Sequence, residues 1–203
     1  TSAIMLSGET AAGSYPVEAL KTMVRIAERT EEAIDYIHRF QSRETIANFD
    51  VTNAISHATC TTAHDLGASA IITVTMSGVT ARQLSKFRPA SPIVACTNRE
   101  TVYHQLSLSW GVIPMQIETE TDSESLFEHA VEAAQRAGLV HSGDLVVITA
   151  GVPLGVSGTT NMMKVDVVGH VLVTGVGVTE KQVTARVCVA ETVEDMEERF
   201  QEG

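Results

Sequence analysis

The chain has 203 residues, with 14 Lys and Arg against 25 Asp and Glu, which gives a formal net charge of −11 at pH 7. Hydrophobic residues make up 44% and charged residues 19%, a balance that excludes wholesale disorder. No apolar stretch approaches the roughly 18–20 residues of a membrane helix, and no basic segment leads into an apolar one at the N-terminus. We therefore expect a globular protein with no membrane or secretory segment. Because Thr1 is not Met, we also expect a piece of a longer protein.

The charges are unevenly distributed. Residues 191–203 contain six acids and one base, whereas residues 75–99 contain four bases and no acid. An acidic protein with one short basic stretch is a poor general nucleic-acid binder, because phosphate backbones need a broad basic surface. The basic stretch suits a single small anion, and the alternative is an ordinary solvated charge run.

The cysteines do not form a metal or disulfide pattern. Cys60, Cys96 and Cys188 are widely spaced and odd in number, and no Cys/His ligand spacing occurs. This usage is typical of buried free thiols in a reducing cytoplasm and predicts no metal site in the chain.

The N-terminal quarter predicts a strand, a long helix and a connector. Residues 3–6 are a short apolar run of the kind found in buried strands. Pro16 suits the first turn of a helix, and apolar residues then recur at three- and four-residue spacing to residue 38. Residues 41–50 are polar and indicate a connector.

From about residue 50 to 150 the predicted elements alternate between helix and strand. Helices are predicted over residues 54–66, 80–87, 99–110 and 123–137, with Gly67 and Gly138 as stops and Asp122 as a cap. Strands are predicted over residues 70–74, 92–96, 112–117 and 145–149, and a further strand over 164–168. Short apolar strands separated by helices indicate a parallel sheet buried on both faces. We predict an α/β three-layer sandwich with a mostly parallel sheet of about five strands and helices on both faces.

Two loops follow strands whose carboxyl ends would share one sheet edge, where ligands bind in such folds. Residues 75–80 offer hydroxyls, a glycine and the amides of a helix N-terminus, and Arg82 adds a positive charge. Residues 151–160 contain three glycines and no base. Such features suit a phosphate; the alternative is that each loop is a turn needing Gly and Ser for its geometry.

A resemblance to a known family is carried by Ser7-Gly8-Glu9-Thr10 followed by Gly13, Tyr15, Pro16 and Glu18. This pattern closely resembles the last barrel strand and following helix of the pyruvate kinases. Residues 75–89 resemble the family's effector phosphate loop and helix, and residues 143–164 resemble its second effector loop and last strand. The resemblance covers residues 1 to about 168.

The resemblance implies an enzyme that transfers the phosphoryl group of phosphoenolpyruvate to ADP, using Mg²⁺ and K⁺, as a cytoplasmic tetramer. It implies that residues 1–15 end a TIM-barrel catalytic domain, 16–40 form a connecting helix and 41–168 form the regulatory domain. Ser7, Glu9 and Thr10 would be peripheral catalytic residues. The family's main catalytic residues would lie upstream, so we expect this chain alone to be inactive.

The resemblance also implies a phosphorylated effector. The expected effector-binding residues are Thr75, Met76, Ser77, Gly78, Val79, Thr80, Arg82, Gly155, Ser157 and Gly158. No Lys or Arg lies between Arg136 and Lys164, so a second phosphate would be poorly paired. We therefore favour AMP, ribose 5-phosphate or glucose 6-phosphate over fructose 1,6-bisphosphate.

Residues 169–203 resemble, more weakly, the start of an extra C-terminal segment of some bacterial pyruvate kinases, which is similar to a swivelling phosphohistidine domain. The Thr-Ser-His-type motif of that segment is missing, and we predict a strand over 183–190 and an acidic helix over 191–201. The rival hypotheses are a free-standing phosphate-binding module and a purely assembling domain. The module does not explain Ser7-Gly8-Glu9-Thr10 ahead of Pro16, and assembly that is insensitive to sugar phosphates in gel filtration would favour the assembling domain.

Overall fold

The computed structural model describes residues 3–42, 50–118, 122–153, 160–169 and residue 192. Its sheet has five strands in the spatial order β3-β2-β1-β4-β5. Strands β1 to β4 are parallel, and β5 runs antiparallel to β4. The predicted α/β fold with a mostly parallel sheet of about five strands is therefore confirmed. The strands are β1 (Ala70–Val74), β2 (Ile93–Thr97), β3 (Val112–Gln116), β4 (Leu145–Ala150) and β5 (Met162–Val167).

Seven helices lie in the described residues. They are α1 (Gly8–Ala11), α2 (Pro16–Glu32), α3 (Tyr36–Gln41), α4 (Val51–Leu66), α5 (Val79–Phe87), α6 (Glu100–Leu106) and α7 (Ser123–Arg136). Ile71 and Ile93 of the sheet belong to one apolar cluster with residues of α4, α5 and α6. Ile72 and Ile148 belong to a second cluster with residues of α7. Because successive strand residues point to opposite faces, the two clusters confirm helices on both sides of the sheet.

Helix ends follow the capping residues that the sequence offers. The Asp50 carboxylate accepts from the amides of Thr52 and Asn53 at the start of α4, and the Asp122 carboxylate accepts from the Ser125 amide at the start of α7. Gly67 and Gly138 follow α4 and α7 with φ of 59° and 71°. These are left-handed conformations that glycine adopts without a Cβ penalty.

The single helix predicted over residues 16–38 is wrong, because two helices occupy this region. Helix α2 ends at Glu32, and α3 begins at Tyr36 after Asp35. Asp35 has an extended backbone, and its carboxylate accepts from the His38 amide at 2.9 Å. A carboxylate that caps a helix in this way competes with continuation of the preceding helix, which apolar periodicity alone does not register.

The strand predicted over residues 3–6 is also wrong. These residues form no ladder, and α1 follows directly after Ser7. A strand needs a neighbour for its backbone donors and acceptors, and the described chain supplies none there. Ile4 and Met5 are 56% and 85% exposed. The barrel remnant is therefore not observed, and the domain boundaries remain predictions.

Several predictions fall on residues outside those described. They concern Cys188, the strand over 183–190 and most of the helix over 191–201. The central part of the second loop, residues 154–159, also lies outside. Among the described residues, no helix is long and apolar enough to cross a membrane.

The assigned core leads us to expect that the same Ile→Ala substitution destabilises the protein at a buried position and not at an exposed one. Ile72 is 0% exposed in β1, whereas Ile26 is 62% exposed on α2. We expect Ile72→Ala to lower the free energy of unfolding by about 2–5 kcal/mol through lost burial and a cavity. Ile26→Ala should change it by less than about 0.5 kcal/mol. Urea denaturation monitored by circular dichroism measures both, and equal losses would contradict the assigned core.

Candidate functional site

The two predicted loops leave the same edge of the sheet. Strands β1 and β4 are parallel neighbours, with Thr73 opposite Thr149. The loop after β1 begins at Thr75, whose amide donates to the Cys96 carbonyl of β2 at 2.9 Å. The loop after β4 begins at Gly151. The predicted shared edge is therefore confirmed for the described ends of both loops.

The first loop is held in shape by its own side chain and backbone. The Thr75 hydroxyl accepts from the Gly78 amide at 2.9 Å and is buried. Gly78 has φ of 74°, a conformation that favours glycine. Met76 and Ser77, between them, are half-buried. Thr75 thus forms an internal bond that fixes the turn into α5.

Arg82 folds back over this loop. Its Nη2 donates to the Ser77 carbonyl at 2.8 Å, and its side chain is on the surface. A Cβ on Gly78 would lie only 2.7 Å from Arg82 Nη1, so the guanidinium lies directly against the glycine. The structure therefore brings a positive charge to the loop that the sequence singled out.

The first three amides of α5 are not used by its own hydrogen-bond ladder. The first bond of its ladder runs from the Arg82 amide to the Gly78 carbonyl at 3.1 Å. The amides of Val79, Thr80 and Ala81 therefore lie outside the ladder, at the positive end of a nine-residue helix. Together with the Arg82 guanidinium, they make this a positively polarised position.

Thr80 connects the two loops. Its Oγ1 lies 2.5 Å from Oγ1 of Thr160, and both residues are buried. Thr160 is absent from the predicted site residues, although it belongs to the second loop. Its own sequence context carries no signal for this contact, because the pairing depends on β1 and β4 being neighbours.

The side-chain amide of Asn161 closes the base of the second loop. Asn161 Oδ1 accepts from the Val152 amide at 2.8 Å, and Asn161 Nδ2 donates to the Val152 carbonyl at 2.6 Å. These reciprocal bonds fix where the chain leaves and rejoins the sheet. Gly155, Ser157 and Gly158, the predicted ligands from this loop, lie outside the described residues.

Ser7, Glu9 and Thr10 lie together in the exposed turn around α1. The Ser7 amide donates to Glu9 Oε2 at 3.1 Å, and the Thr10 hydroxyl donates to the Ser7 carbonyl at 3.2 Å. Backbone hydrogen bonds from Glu9 itself and from Ser7 hold the pKa of the Glu9 carboxyl below its ordinary value. The turn is therefore locally ordered around an ionised carboxylate.

The described residues contain no group of three His, Cys, Asp or Glu side chains that could hold a metal ion. Burial raises the pKa of the Cys60 and Cys96 thiols to about 12, so both are neutral and weakly nucleophilic at pH 7. Their burial as free thiols confirms the prediction for these two cysteines.

Comparisons with known proteins agree with this fold. The family model described as "Pyruvate kinase, alpha/beta domain" matches residues 53–166. A pyruvate kinase of Geobacillus stearothermophilus is 44% identical over 203 residues, which is 100% of this chain and 35% of that protein. A pyruvate kinase of Staphylococcus aureus (strain USA300) is 45% identical over 197 residues, which is 97% of this chain and 34% of that protein. The chain thus spans about a third of the length of these curated relatives.

Two glycines offer a matched test of the loop. Gly78 and Gly111 both have positive φ, but a Cβ on Gly111 meets no atom within 4 Å. We expect Gly111→Ala to cost about 1–2 kcal/mol of unfolding free energy from backbone strain alone. Gly78→Ala should cost about 1–3 kcal/mol more, because its Cβ displaces Arg82 and crowds Leu106. Urea denaturation compares the two, and equal costs would contradict the close packing of Arg82, Leu106 and Val102 around Gly78.

Proposed function

Because the chain belongs to the pyruvate kinase family, we propose that it is the regulatory part of an enzyme that makes pyruvate and ATP from phosphoenolpyruvate and ADP. The whole enzyme would work in the cytoplasm with Mg²⁺ and K⁺. The resemblance to the family implies that the residues that hold those ions lie in the rest of the enzyme. The contribution of the chain is to bind an effector and to support a tetramer.

The proposed effector site is the loop of residues 75–80 with Arg82. The observation that carries it is the Arg82 guanidinium, held against Gly78 beside the amides that open α5. A guanidinium has five N–H donors in a fixed fork, so the bond to Ser77 leaves capacity for an anion. Charge-assisted bonds from the guanidinium and bonds from helix-terminal amides are the contacts that phosphate prefers.

The internal bonds of the loop support this proposal. Thr75 and Thr80 are buried and use their hydroxyls within the protein, so they shape the site. The direct contacts would then come from Ser77, the backbone amides and Arg82. Gly155, Ser157 and Gly158 would close the site from the second loop.

A monophosphate is the proposed effector class, with AMP, ribose 5-phosphate and glucose 6-phosphate as candidates. Between Arg136 and Lys164 the sequence has no Lys or Arg, and Lys164 already pairs with Asp166 at 2.8 Å. A second phosphate near the second loop would therefore lose the charge-assisted contacts that the first phosphate gains.

The N-terminal surface supports a junction with a catalytic domain. Ala3–Leu6, the apolar side of α2 and parts of α3 line a groove of about 1150 Å³. Large side chains such as Ile4, Met5, Leu20 and Ile26 remain about half exposed or more. In a protein three times as long, the remaining chain would cover this surface and place Ser7, Glu9 and Thr10 at the edge of the active site.

Anion binding is tested by calorimetric titration of this chain. We expect ribose 5-phosphate, AMP or glucose 6-phosphate to bind more tightly than fructose 1,6-bisphosphate. Arg82→Gln should weaken binding about 10–100-fold, since it removes charge-assisted bonds worth about 1.5–3 kcal/mol. The matched control is Arg136→Gln, an exposed arginine at the end of α7, toward the opposite edge of the sheet, which should bind normally. Tight bisphosphate binding without monophosphate binding would overturn the proposed class.

Catalysis by the chain alone is a separate prediction. Phosphoryl transfer depends on positioned metal ions and cationic groups, and we place these in the rest of the enzyme. The purified 203-residue protein should therefore form no pyruvate from phosphoenolpyruvate and ADP in a lactate dehydrogenase-coupled assay with Mg²⁺ and K⁺. Turnover above the protein-free control would refute this assignment.

A further inference from the structure

Arg88 is the one non-glycine residue with positive φ among the described residues. Arg88 ends α5 in a left-handed backbone conformation, with φ of 57° and ψ of 53°. The residues in this conformation after α4 and α7 are glycines, Gly67 and Gly138. A left-handed conformation is unfavourable for a residue with a Cβ. An arginine in a position that glycine would fill more easily indicates that its side chain has a specific contact.

That contact is Trp110. The Arg88 guanidinium carbon lies 4.6 Å from the centre of the Trp110 ring, within cation–π range. Helix α5 makes a second contact with Trp110, in which the Ser85 hydroxyl donates to the Trp110 carbonyl at 2.6 Å. Trp110 is thus fixed to the last turn of α5 by both its ring and its backbone.

Trp110 in turn contacts α2 and α3. Its indole Nε1 donates to Glu31 Oε1 in the last turn of α2 at 3.2 Å. The Tyr36 ring, at the start of α3, lies 5.6 Å from the Trp110 ring. Burial, and next the nearby Glu31 carboxylate, raise the pKa of Tyr36 above its ordinary value, whereas Arg39 and Arg88 lower it. The Glu31 carboxylate and the Arg88 guanidinium therefore both contact the Trp110 indole.

We infer that Arg88 and Trp110 are positioning residues that couple α5 to α2. Helix α5 joins Gly78 and Arg82 at its start to Arg88 at its end over roughly 13 Å. Arg88 contacts Trp110, and Trp110 contacts Glu31. From Glu31, α2 leads back to the turn that holds Ser7, Glu9 and Thr10. The regulatory meaning of this link rests on the proposed effector site, whereas the contacts themselves do not.

The link is tested without a ligand, because Arg88→Gly removes the side chain and suits the left-handed backbone. We expect hydrogen exchange of the amides in the last turn of α2 to become about two- to fivefold faster, as for loss of a cation–π contact between two half-buried residues. The matched control is Arg99→Gly at the N-cap of α6, a position that accepts glycine, and α2 exchange should not change there. Equal exchange in the two variants would overturn the inference.

Trp110 is the single tryptophan of the chain, so its fluorescence reports the contact between Trp110 and Glu31. Glu31→Ala should change the emission maximum and speed exchange in α2, whereas Glu31→Gln, which keeps an acceptor oxygen, should restore both. If Arg88→Gly does not fold, Trp110→Phe takes its place. This substitution keeps an aromatic ring next to Arg88 but removes the indole N–H that donates to Glu31, so exchange in α2 should again become faster. Unchanged α2 exchange in Trp110→Phe and Glu31→Ala would overturn the link.

Inorganic phosphate then separates the link from the proposed function. Binding heat with altered exchange in α2, both absent in Arg82→Gln, supports the link as a path from the anion site. Binding heat with unchanged α2 exchange would overturn it as such a path. Absence of binding heat would count against the proposed function alone, since the ligand-free comparison decides the link.

Discussion

Strands β1 and β4 run parallel at the centre of the sheet, with Ala70 opposite Val146 and Thr73 opposite Thr149. This pairing is what brings two loops, separated by about seventy residues of sequence, to one edge. The hydroxyl contact between Thr80 and Thr160 exists only because both loops leave the sheet there. With both faces of the strands buried, a shift in register would move each side chain into the opposite cluster and disrupt the close packing there, so the core fixes the position of the site.

Within this frame, the loop after β1 is stabilised before any ligand is considered. Thr75 closes the turn onto the Gly78 amide, and the Arg82 guanidinium donates to the Ser77 carbonyl. A loop held in this way would pay little entropy on binding an anion. At the opposite end of α5, Arg88 and Ser85 hold Trp110. One short helix therefore has a polar contact set at each end, and these two sets are the ends of the proposed link.

The sequence predicted the sheet well because apolar strand runs, Asp caps and Gly stops are local signals, as at Asp122 and Gly138. It missed the break before Tyr36, since the cap that Asp35 forms competes with apolar periodicity that continues through Ile34 and Ile37. It assigned residues 3–6 to a strand, although a strand requires partners that the described part of the chain does not provide there. It identified the loop with Arg82 from composition, but the Thr80–Thr160 contact and the Arg88–Trp110 stack depend on tertiary neighbours and have no local signature.

The central claim is that the amides opening α5 and the Arg82 guanidinium bind a phosphate. The most direct measurement is a titration of the ¹⁵N-labelled chain with inorganic phosphate, followed by amide and arginine Nε–H chemical shifts. We expect saturable shifts concentrated at Ser77, Gly78, Val79 and Thr80 and at the Arg82 side chain, with chloride at equal ionic strength as the control. Shifts that are absent, or that are spread over exposed lysines and arginines with no saturation, would contradict the account.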